Sequence, residues 1–370
     1  MKKIIDTLHG TIQTPAFLPD ATYGAIKSLS FEDVEATGTE SLVTTTLHLE
    51  QKLDHRYIKE FGGLHKFFNW NKPILTDSGG YQVFSLIYRN PNKRNAITDA
   101  GCSFVDYTSG KYQLLTPEIS QIIQFHLGAD IVTVLDVPLR NDASTADMKE
   151  AIKRNTEWAK RSKDKFLELH QLTEKDFSDP KIKRPLIGAV IQGGNNFDLR
   201  KQSAEELQEI GFDLYNFGGP PIHKEKNWYQ NAPKGFNREL LEFVANLLPQ
   251  DSVKYAMGIG SPDDIIYSSQ VGWDIFDTVL PTRNARHGYL YVSKGYGDKS
   301  YEHYDVVHIR SKRYEFDEQP IDPLTPCDIT KNISRAYLRH LIRTKDPAGW
   351  RIASIHNLMF YQNMIKQLQK

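Results

Sequence analysis

The chain of 370 residues has little cysteine, no net charge and no long apolar segment. Its two cysteines, Cys102 and Cys327, are far apart, which excludes a disulfide framework and fits a reducing compartment. The 46 basic residues balance the 46 acidic residues, so contact with a nucleic acid requires a local basic patch. No stretch has the apolar length that a signal peptide or a membrane span needs, and we therefore expect a cytoplasmic protein without a membrane partner.

The sequence also lacks internal repeats, low-complexity runs and a G-x-G-x-x-G motif after its first strand-like segment. What recurs is a short apolar, β-branched run followed by a segment of helical character. After one such run, Ser261 and Pro262 are predicted to cap and begin a helix. This alternation is typical of a parallel sheet covered by helices. The runs occupy 73–77, 129–136, 185–194, 213–219, 253–260 and 272–280.

Two α/β architectures fit this alternation: a (β/α)8 TIM barrel and an open doubly wound sheet. The missing glycine motif weakens the second, and polar residues at successive strand ends favour the barrel, whose active sites collect groups on that face. We predict one barrel domain over 1–370, with an insertion at about 289–333 and closing helices at 334–343 and 353–368. The residues at these strand ends are Asp77, Asp136, Gln192, the pair Gly218-Gly219, the pair Met257-Gly258 and Asp277.

Three aspartates in this set, Asp77, Asp136 and Asp277, each end an apolar run. Such an aspartate is ordinarily the N-cap of the next helix, and this role explains any one of them. Three carboxylates on one barrel face repel one another, which indicates a ligand or shifted protonation instead. A carboxylate pair, one nucleophile and one acid/base, is the usual equipment for substitution at an anomeric carbon.

The remaining polar strand ends suit a planar ring. Gln192 and the backbone of Gly218-Gly219 offer donors and acceptors to the edge of a heterocycle. Tyr81 and Met257 offer an aromatic face and a polarizable thioether to its two sides, although each alone is more often simply core.

Basic residues follow Asp277 in what the sequence predicts to be a loop with Arg283, Arg286 and His287. A basic loop next to a carboxylate suits a phosphate-bearing substrate, and a solvated turn is the alternative. A second basic set has the spacing of one helix face, which suits a nucleic-acid backbone or plain solvation. Its members are Lys331, Arg335, Arg339 and Arg343.

Four motifs in order resemble the tRNA-guanine transglycosylase (queuine tRNA-ribosyltransferase) family. They are DSGGYQVFSL (77–86), VIQGG (190–194), YAMGIGSPDD (255–264) and FDTVLPTRNARHG (276–288), and the resemblance runs from about Thr14 to the C-terminus. It implies a TIM-barrel pentosyltransferase that exchanges guanine at the wobble position of tRNAs with a G-U-N anticodon for a 7-deazaguanine, preQ1 or queuine.

The resemblance also implies roles for single residues. Asp277 matches the nucleophile that attacks ribose C1′ to form a covalent intermediate, and Asp77 matches the general acid/base. Tyr81 and Met257 match the pair that stacks on the base. The other substrate-binding positions are Ser78, Asp136, Gln192, Gly218 and Gly219, and the segment that recognises the tRNA is Thr282, Arg283, Asn284, Ala285 and Arg286.

The chain departs from the family where the family binds zinc in its C-terminal subdomain. The positions of three cysteines and one histidine here read Thr325, Cys327, Thr330 and His356. One thiolate and one imidazole do not complete the tetrahedral set that zinc prefers. We therefore predict no structural zinc and no cofactor. The family also pairs near this region, and the sequence does not decide between a homodimer and a monomer.

The predicted base pocket departs as well. Asp136 is followed by Val137-Pro138-Leu139, and the glycine pair by 220–224, which reads PPIHK. Proline has no N–H, so the backbone donors available to a 7-substituent differ, and we predict a changed preference among 7-deazaguanines. Neutral drift is the alternative. Two other functions stay open from the sequence: a non-catalytic tRNA-binding subunit and a relative that acts on DNA.

Overall fold

The computed structural model describes residues 3–89, 96–106, 109–138, 143–219, 237–295, 303–325 and 327–370. Its strands, in chain order, are β1 (Ile4–Thr7), β2 (Gly10–Gln13), β3 (Ala16–Pro19), β4 (Leu42–Thr44), β5 (Ile74–Thr76), β6 (Ala96–Ile97), β7 (Cys102–Val105), β8 (Tyr112–Leu115), β9 (Ile131–Thr133), β10 (Leu186–Ile191), β11 (Leu214–Phe217), β12 (Val253–Ala256), β13 (Ile275–Thr278), β14 (Tyr289–Ser293) and β15 (Tyr304–His308).

The helices lie mainly between the strands, and most begin at a Ser, Thr, Asp or Asn cap. They are α1 (Phe31–Ala36), α2 (Thr46–Leu53), α3 (His55–Phe61), α4 (Leu64–Phe68), α5 (Gly80–Arg89), α6 (Pro117–Leu127), α7 (Thr145–His170), α8 (Glu174–Phe177), α9 (Phe197–Ile210), α10 (Arg238–Leu247), α11 (Pro262–Gln270), α12 (Leu280–Arg286), α13 (Arg335–Arg343) and α14 (Pro347–Leu368), with a 3-10 turn at Lys312–Tyr314.

Eight parallel strands form one sheet in the order β3-β13-β12-β11-β10-β9-β5-β4. The last junction, between β4 and β3, is a parallel bridge from Asp20 to Val43, so the sheet is nearly closed into a barrel. This arrangement confirms the TIM-barrel prediction and rules out the open doubly wound sheet. None of the helices in the described ranges combines the length and the apolar character that a membrane crossing requires.

Residues of most barrel strands alternate between two apolar cores, as the pleat of a strand requires. One core fills the barrel interior and includes Leu18, Leu75, Tyr255 and Ile275. The neighbours of these residues, among them Phe17, Ile74, Ala256 and Phe276, pack outward against the helices. Continuing the inward alternation by two residues from Leu18, Leu75, Tyr255 and Ile275 reaches Asp20, Asp77, Met257 and Asp277.

The two ends of the barrel differ in what covers them. At the end where the strands begin, the β1–β2 hairpin places Ile5 and Ile12 against the interior core. Lys3 donates to the carboxylate of Asp274, just before β13, over 2.7 Å. We call this end the bottom of the barrel, and the carboxyl ends of the strands the mouth.

A separate small core holds the C-terminal part together. It joins Leu290 of β14 and Val307 of β15 to Leu338 and Ile342 of α13. β14 and β15 pair with each other in an antiparallel hairpin apart from the barrel sheet. The single-domain boundaries stated above stay a prediction.

Three local predictions need correction. Segment 280–286, predicted as a loop, is α12, because Pro281 starts a helix well and Ala285 packs into the small core. α14 begins at Pro347, behind an Asp346 cap, rather than at 353. The sequence pattern also missed β3 and β4, since Pro19 argues against a central strand and β4 has only three residues.

Candidate active site

Polar side chains meet at the barrel mouth because six strands carry them there: β3, β5, β9, β10, β12 and β13. The negative charges of Asp77 and Asp277 add to the effect of burial and raise the pKa of Asp20. The charge of Asp77 likewise adds to the effect of burial on the pKa of Asp136. The described residues at this mouth therefore include four carboxyl groups, three of which were predicted from the sequence.

Asp277 projects from β13 with one oxygen held and one free. Its Oδ1 accepts the Tyr255 hydroxyl and the Gly258 N–H, each over 2.7 Å. Among the residues that the structure describes, no donor contacts Oδ2. Burial raises the pKa of Asp277, and the two hydrogen bonds oppose that rise. The geometry is that of an oriented carboxylate with one oxygen presented to a ligand.

Asp77 follows β5 and is tied to the start of two helices. Oδ1 accepts the N–H groups of Thr46 (3.0 Å) and Gly79 (3.1 Å), and Oδ2 accepts Gln82 Nε2 (2.9 Å). Burial raises its pKa from 3.8 to about 6 against these bonds. A carboxyl group with a pKa near neutrality can both donate and accept a proton at the mouth.

Asp136 and Gln192 form a buried pair from neighbouring strands. Gln192 Nε2 donates to Asp136 Oδ2 over 2.7 Å, and Ser78 Oγ lies 3.5 Å from Oδ1. Burial raises the pKa of Asp136 to about 6, with the charge of Asp77 adding to the rise. A Cβ on Gly80 would lie 2.0 Å from the Asp136 carbonyl oxygen, so only glycine lets α5 start this close.

The glycine pair after β11 lies against Gln192. A Cβ on Gly218 would lie 2.4 Å from Gln192 Nε2, and Gly219 has φ +77°, which favours glycine. The side chain of Tyr81, at the start of α5, is 54% exposed, and Met257 is half-buried. Asp136, Gln192 and the glycine backbone provide polar groups at the mouth. Tyr81 and Met257 provide apolar surfaces at the same mouth. Residues 139 and 220–224, with their changed pocket sequence, lie outside the described residues.

Two residues of the mouth escaped the sequence analysis. Tyr255 belongs by pattern to the interior core, and only its hydroxyl contact identifies it as a partner of Asp277. Asp20 follows β3 in AFLPD just as Asp77 follows ILT, so the same pattern of an apolar run ending in Asp was present. Pro19 hid it. Burial raises the pKa of Asp20 to about 7.

The predicted tRNA-recognition segment lies on α12, directly after Asp277. Ala285 and Thr282 are buried, and Asn284 donates to the Tyr291 hydroxyl over 2.8 Å. Arg283 is exposed, and Arg286 is partly buried with its pKa lowered by burial and by Arg283. The side chains that this segment offers to a ligand are therefore the arginines.

The predicted basic set does not form one free positive face, and Lys331 precedes α13 rather than lying on it. Arg339 is 7% exposed and donates to the Ser311 carbonyl, while Arg335 donates to the Ile321 carbonyl. Lys331 pairs with Asp328 over 2.7 Å. The predicted nucleic-acid face of this helix is wrong for Arg335 and Arg339, because these side chains tie the small core together.

The positions of the family's zinc ligands do not fit that metal. His356 Nε2 lies 2.8 Å from the Tyr291 carbonyl oxygen, and since a carbonyl only accepts, Nε2 carries its proton. The Thr325 hydroxyl donates to Asp322, and Thr330 offers another neutral hydroxyl. Within the described ranges, the His and carboxylate groups close enough for a metal lie elsewhere.

Two clusters of His and carboxylate side chains are close enough for a metal, and each is held by hydrogen bonds among its own members. They are His9, His65 and Asp130, and Glu50, Asp54 and His55. At the bottom of the barrel, His9 Nδ1 and His65 Nε2 each lie 2.9 Å from Asp130. Between α2 and α3, His55 Nδ1 lies 2.6 Å from Glu50. These bonds identify both sets as structural.

Comparison with known proteins agrees with this geometry. A family model described as Queuine tRNA-ribosyltransferase matches residues 3–370. A queuine tRNA-ribosyltransferase of Actinobacillus pleuropneumoniae serotype 3 (strain JL03) is 40% identical over 359 residues, which cover 97% of this chain and 85% of the relative. The protein of that name from Francisella tularensis subsp. novicida (strain U112) is 39% identical over 362 residues, which cover 98% of this chain and 89% of the relative. With its barrel, its mouth carboxylates and this match along nearly its whole length, the chain belongs to the queuine tRNA-ribosyltransferase family of pentosyltransferases.

Proposed function

We propose that this protein exchanges guanine at the wobble position of tRNAs with a G-U-N anticodon for a 7-deazaguanine base, as a tRNA-guanine transglycosylase of the cytoplasm. The observation that carries this proposal is Asp277, whose Oδ1 is fixed by two donors and whose Oδ2 has no donor among the described residues. It lies at a mouth with a second carboxyl group, Asp77, whose pKa burial raises to about 6. Family membership supports the reaction class.

In the proposed mechanism, Asp277 Oδ2 attacks ribose C1′ and forms an ester-like bond to it. The bond from C1′ to guanine breaks, and guanine leaves with the bonding electrons and takes a proton from Asp77. The incoming base then gives a proton to Asp77 and attacks C1′, which releases Asp277. The strand is never cut, because only the bond between sugar and base is exchanged.

The proton balance of this sequence depends on Asp77. Burial raises its pKa to about 6, so a protonated fraction exists near neutral pH and the ionised form is an effective base. Asp136, Gln192 and Ser78 are proposed to hold the base edge, with Gly218 and Gly219 at its side. Tyr81 and Met257 are proposed to stack on its faces, which stabilises an unstacked anticodon nucleotide.

The test is base exchange with radiolabelled guanine. We expect incorporation into a tRNA with a G-U-N anticodon, no incorporation into the same tRNA with its wobble guanosine replaced, and none into DNA of the same sequence. A covalent complex of protein and RNA should survive denaturing electrophoresis. Binding without exchange would indicate a non-catalytic subunit, and exchange on DNA alone would indicate a different polymer.

We also propose that, among the 7-deazaguanine bases, this enzyme does not prefer preQ1 as the incoming base. Asp136 is followed by Val137, which Asn155 holds through bonds of 3.1 and 3.2 Å, and by Pro138, which has no N–H to donate. The experiment is competition between preQ1, its 7-cyano analogue and queuine on one tRNA. A clear preference for preQ1 would contradict the proposal.

A zinc-free C-terminal subdomain is part of the proposal. Asp322 accepts the N–H groups of Ser293 and Leu324, each over 2.8 Å, and these bonds tie β14 to the turn that contains Asp322. Elemental analysis of purified protein should find substoichiometric zinc, and a chelator should leave the melting temperature unchanged. Stoichiometric zinc that is lost together with the fold would contradict this. A homodimer stays a prediction, to be measured by light scattering.

A further inference from the structure

Asp20 is a fourth carboxyl group of the mouth, placed there by the closing strand of the barrel. It directly follows β3, and its bridge to Val43 joins β3 to β4. Leu18, two residues earlier, faces the barrel interior and lies opposite Asp277 in the register of β3 with β13. Asp20 is therefore one inward position nearer the mouth than the level of the nucleophile.

The carboxyl group of Asp20 has capacity for a further hydrogen bond. Thr22 Oγ1 donates to Oδ1 over 2.8 Å and the Thr22 N–H also bonds to this carboxyl group, while no other residue of the described ranges donates to it and no cation pairs with it. Burial raises its pKa to about 7, the bond from Thr22 opposes the rise, and the charges of Asp277 and Asp77 add to it. A half-buried carboxyl group without a counter-charge is costly to keep unless it has a ligand.

The order of the strands around the barrel indicates which part of a bound nucleotide the Asp20 carboxyl group faces. Asp136, Gln192 and Gly218 follow β9, β10 and β11, whereas β3 lies four strands from β10 in the ring of eight. If the base lies against those three residues and Asp277 is at C1′, the sugar hydroxyls extend toward the β3 side. A carboxylate repels a phosphate but accepts readily from a hydroxyl, as acidic residues do with ribose in dinucleotide sites.

We propose that Asp20 binds a ribose hydroxyl of the nucleotide attacked by Asp277 and so favours RNA over DNA at this position. The proposal rests on the proposed function, since it requires a nucleotide seated with C1′ at Asp277. It adds a substrate-binding residue on the wall opposite the base.

The experiment compares two anticodon stem-loops that differ only in the target nucleotide, ribo-guanosine or 2′-deoxyguanosine. For Asp20→Ala we expect kcat/KM on the ribo substrate to fall about 10- to 100-fold, the range for a lost bond to a charged group, with little change on the deoxy substrate. Asp20→Asn keeps an acceptor and should restore most of the preference. Thr22→Val, which removes only the bond within the loop, should keep the wild-type ratio of the two substrates.

The outcomes separate the two proposals. Equal losses of Asp20→Ala on both stem-loops, or no loss on either, would overturn the role of Asp20 while exchange by the wild type upholds the reaction. A wild type that exchanges no base on either stem-loop would overturn the proposed function and the role of Asp20 with it. Melting temperatures of all variants, measured alongside, identify any variant that fails to fold.

Discussion

The two ends of the barrel use the same residue type in opposite ways. At the bottom, Asp130 accepts the His9 and Ile74 N–H groups and contacts both His9 and His65 through their rings. Burial alone would raise its pKa, but the bonds from His65, Ile74 and His9 outweigh it and lower the pKa. At the mouth, Asp77, Asp136, Asp20 and Asp277 have no cationic partner within the described ranges, and burial raises the pKa of each.

The kind of partner, rather than burial, therefore distinguishes the structural aspartate from the mouth aspartates. Asp130 bonds to two imidazole rings and has a lowered pKa, which suits a carboxylate that stabilises the fold. The mouth carboxyl groups are bonded only by neutral donors in the described part of the chain, and their raised pKa values are typical of a functional site.

The largest effect is expected when Asp277, near the mouth end of β13, is compared with Asp274, just before the same strand. Asp277→Asn should lower base exchange by a factor on the order of 10⁴ or more and abolish the covalent complex, because an amide is a poor nucleophile. Asp274→Asn, at the bottom, loses an ion pair with Lys3 but touches no substrate. It should keep the exchange rate per folded molecule. An active Asp277→Asn would contradict the assigned mechanism.

The second effect tests the bottom. Asp130→Asn leaves some of the four donors around it unpaired in a fully buried place, so we expect a loss of about 2–4 kcal/mol in the free energy of unfolding. Urea denaturation at neutral pH measures it. Because the folded-state pKa of Asp130 is lowered, its contribution is present above the unfolded pKa and is lost as pH falls through the folded one. Unchanged stability would mean that the bottom cluster is not structural.

The third effect has the opposite sign and tests the mouth. The pKa of Asp136 is raised to about 6, so the folded protein holds a proton that the unfolded chain has released, and stability falls as pH rises from about 4 to about 6. Asp136→Asn removes this loss. Relative to the wild type, the variant should gain about 1–3 kcal/mol between about pH 4.5 and about pH 7.5, read by urea denaturation at each pH. An equal difference at both pH values would show that Asp136 has no raised pKa.

The smallest effect is expected from removing one exposed basic side chain near each end of the barrel. Arg283 lies on the helix that follows the mouth, whereas Lys183 is exposed before β10 at the bottom. Arg283→Ala should weaken tRNA binding by about 1 kcal/mol and reduce the salt dependence of the affinity, as for one lost phosphate contact. Lys183→Ala should change neither. Binding curves at several salt concentrations compare them, and equal effects would place the RNA elsewhere.

Much of the fold was accessible from the sequence because buried parallel strands leave continuous apolar runs. The runs after residue 70 all became barrel strands, and the aspartates that end them reached one mouth. β3 was missed because Pro19 lies at its end, where a missing N–H costs little, and Asp20 was missed with it. α12 was mistaken for a loop since its seven residues contain a proline and two polar side chains, Thr282 and Asn284, beside the arginines.

The sequence by itself determined the barrel class, the family and the three aspartates at successive strand ends, because these follow from local runs and ordered motifs. Only the tertiary structure decided which oxygen of Asp277 is free, since its two donors, Tyr255 and Gly258, belong to the neighbouring strand and the turn after it. It also decided that Asp20 joins the mouth and that Arg335 and Arg339 turn inward. Partners brought together by the closing of a barrel are distant along the chain, so no local pattern records them.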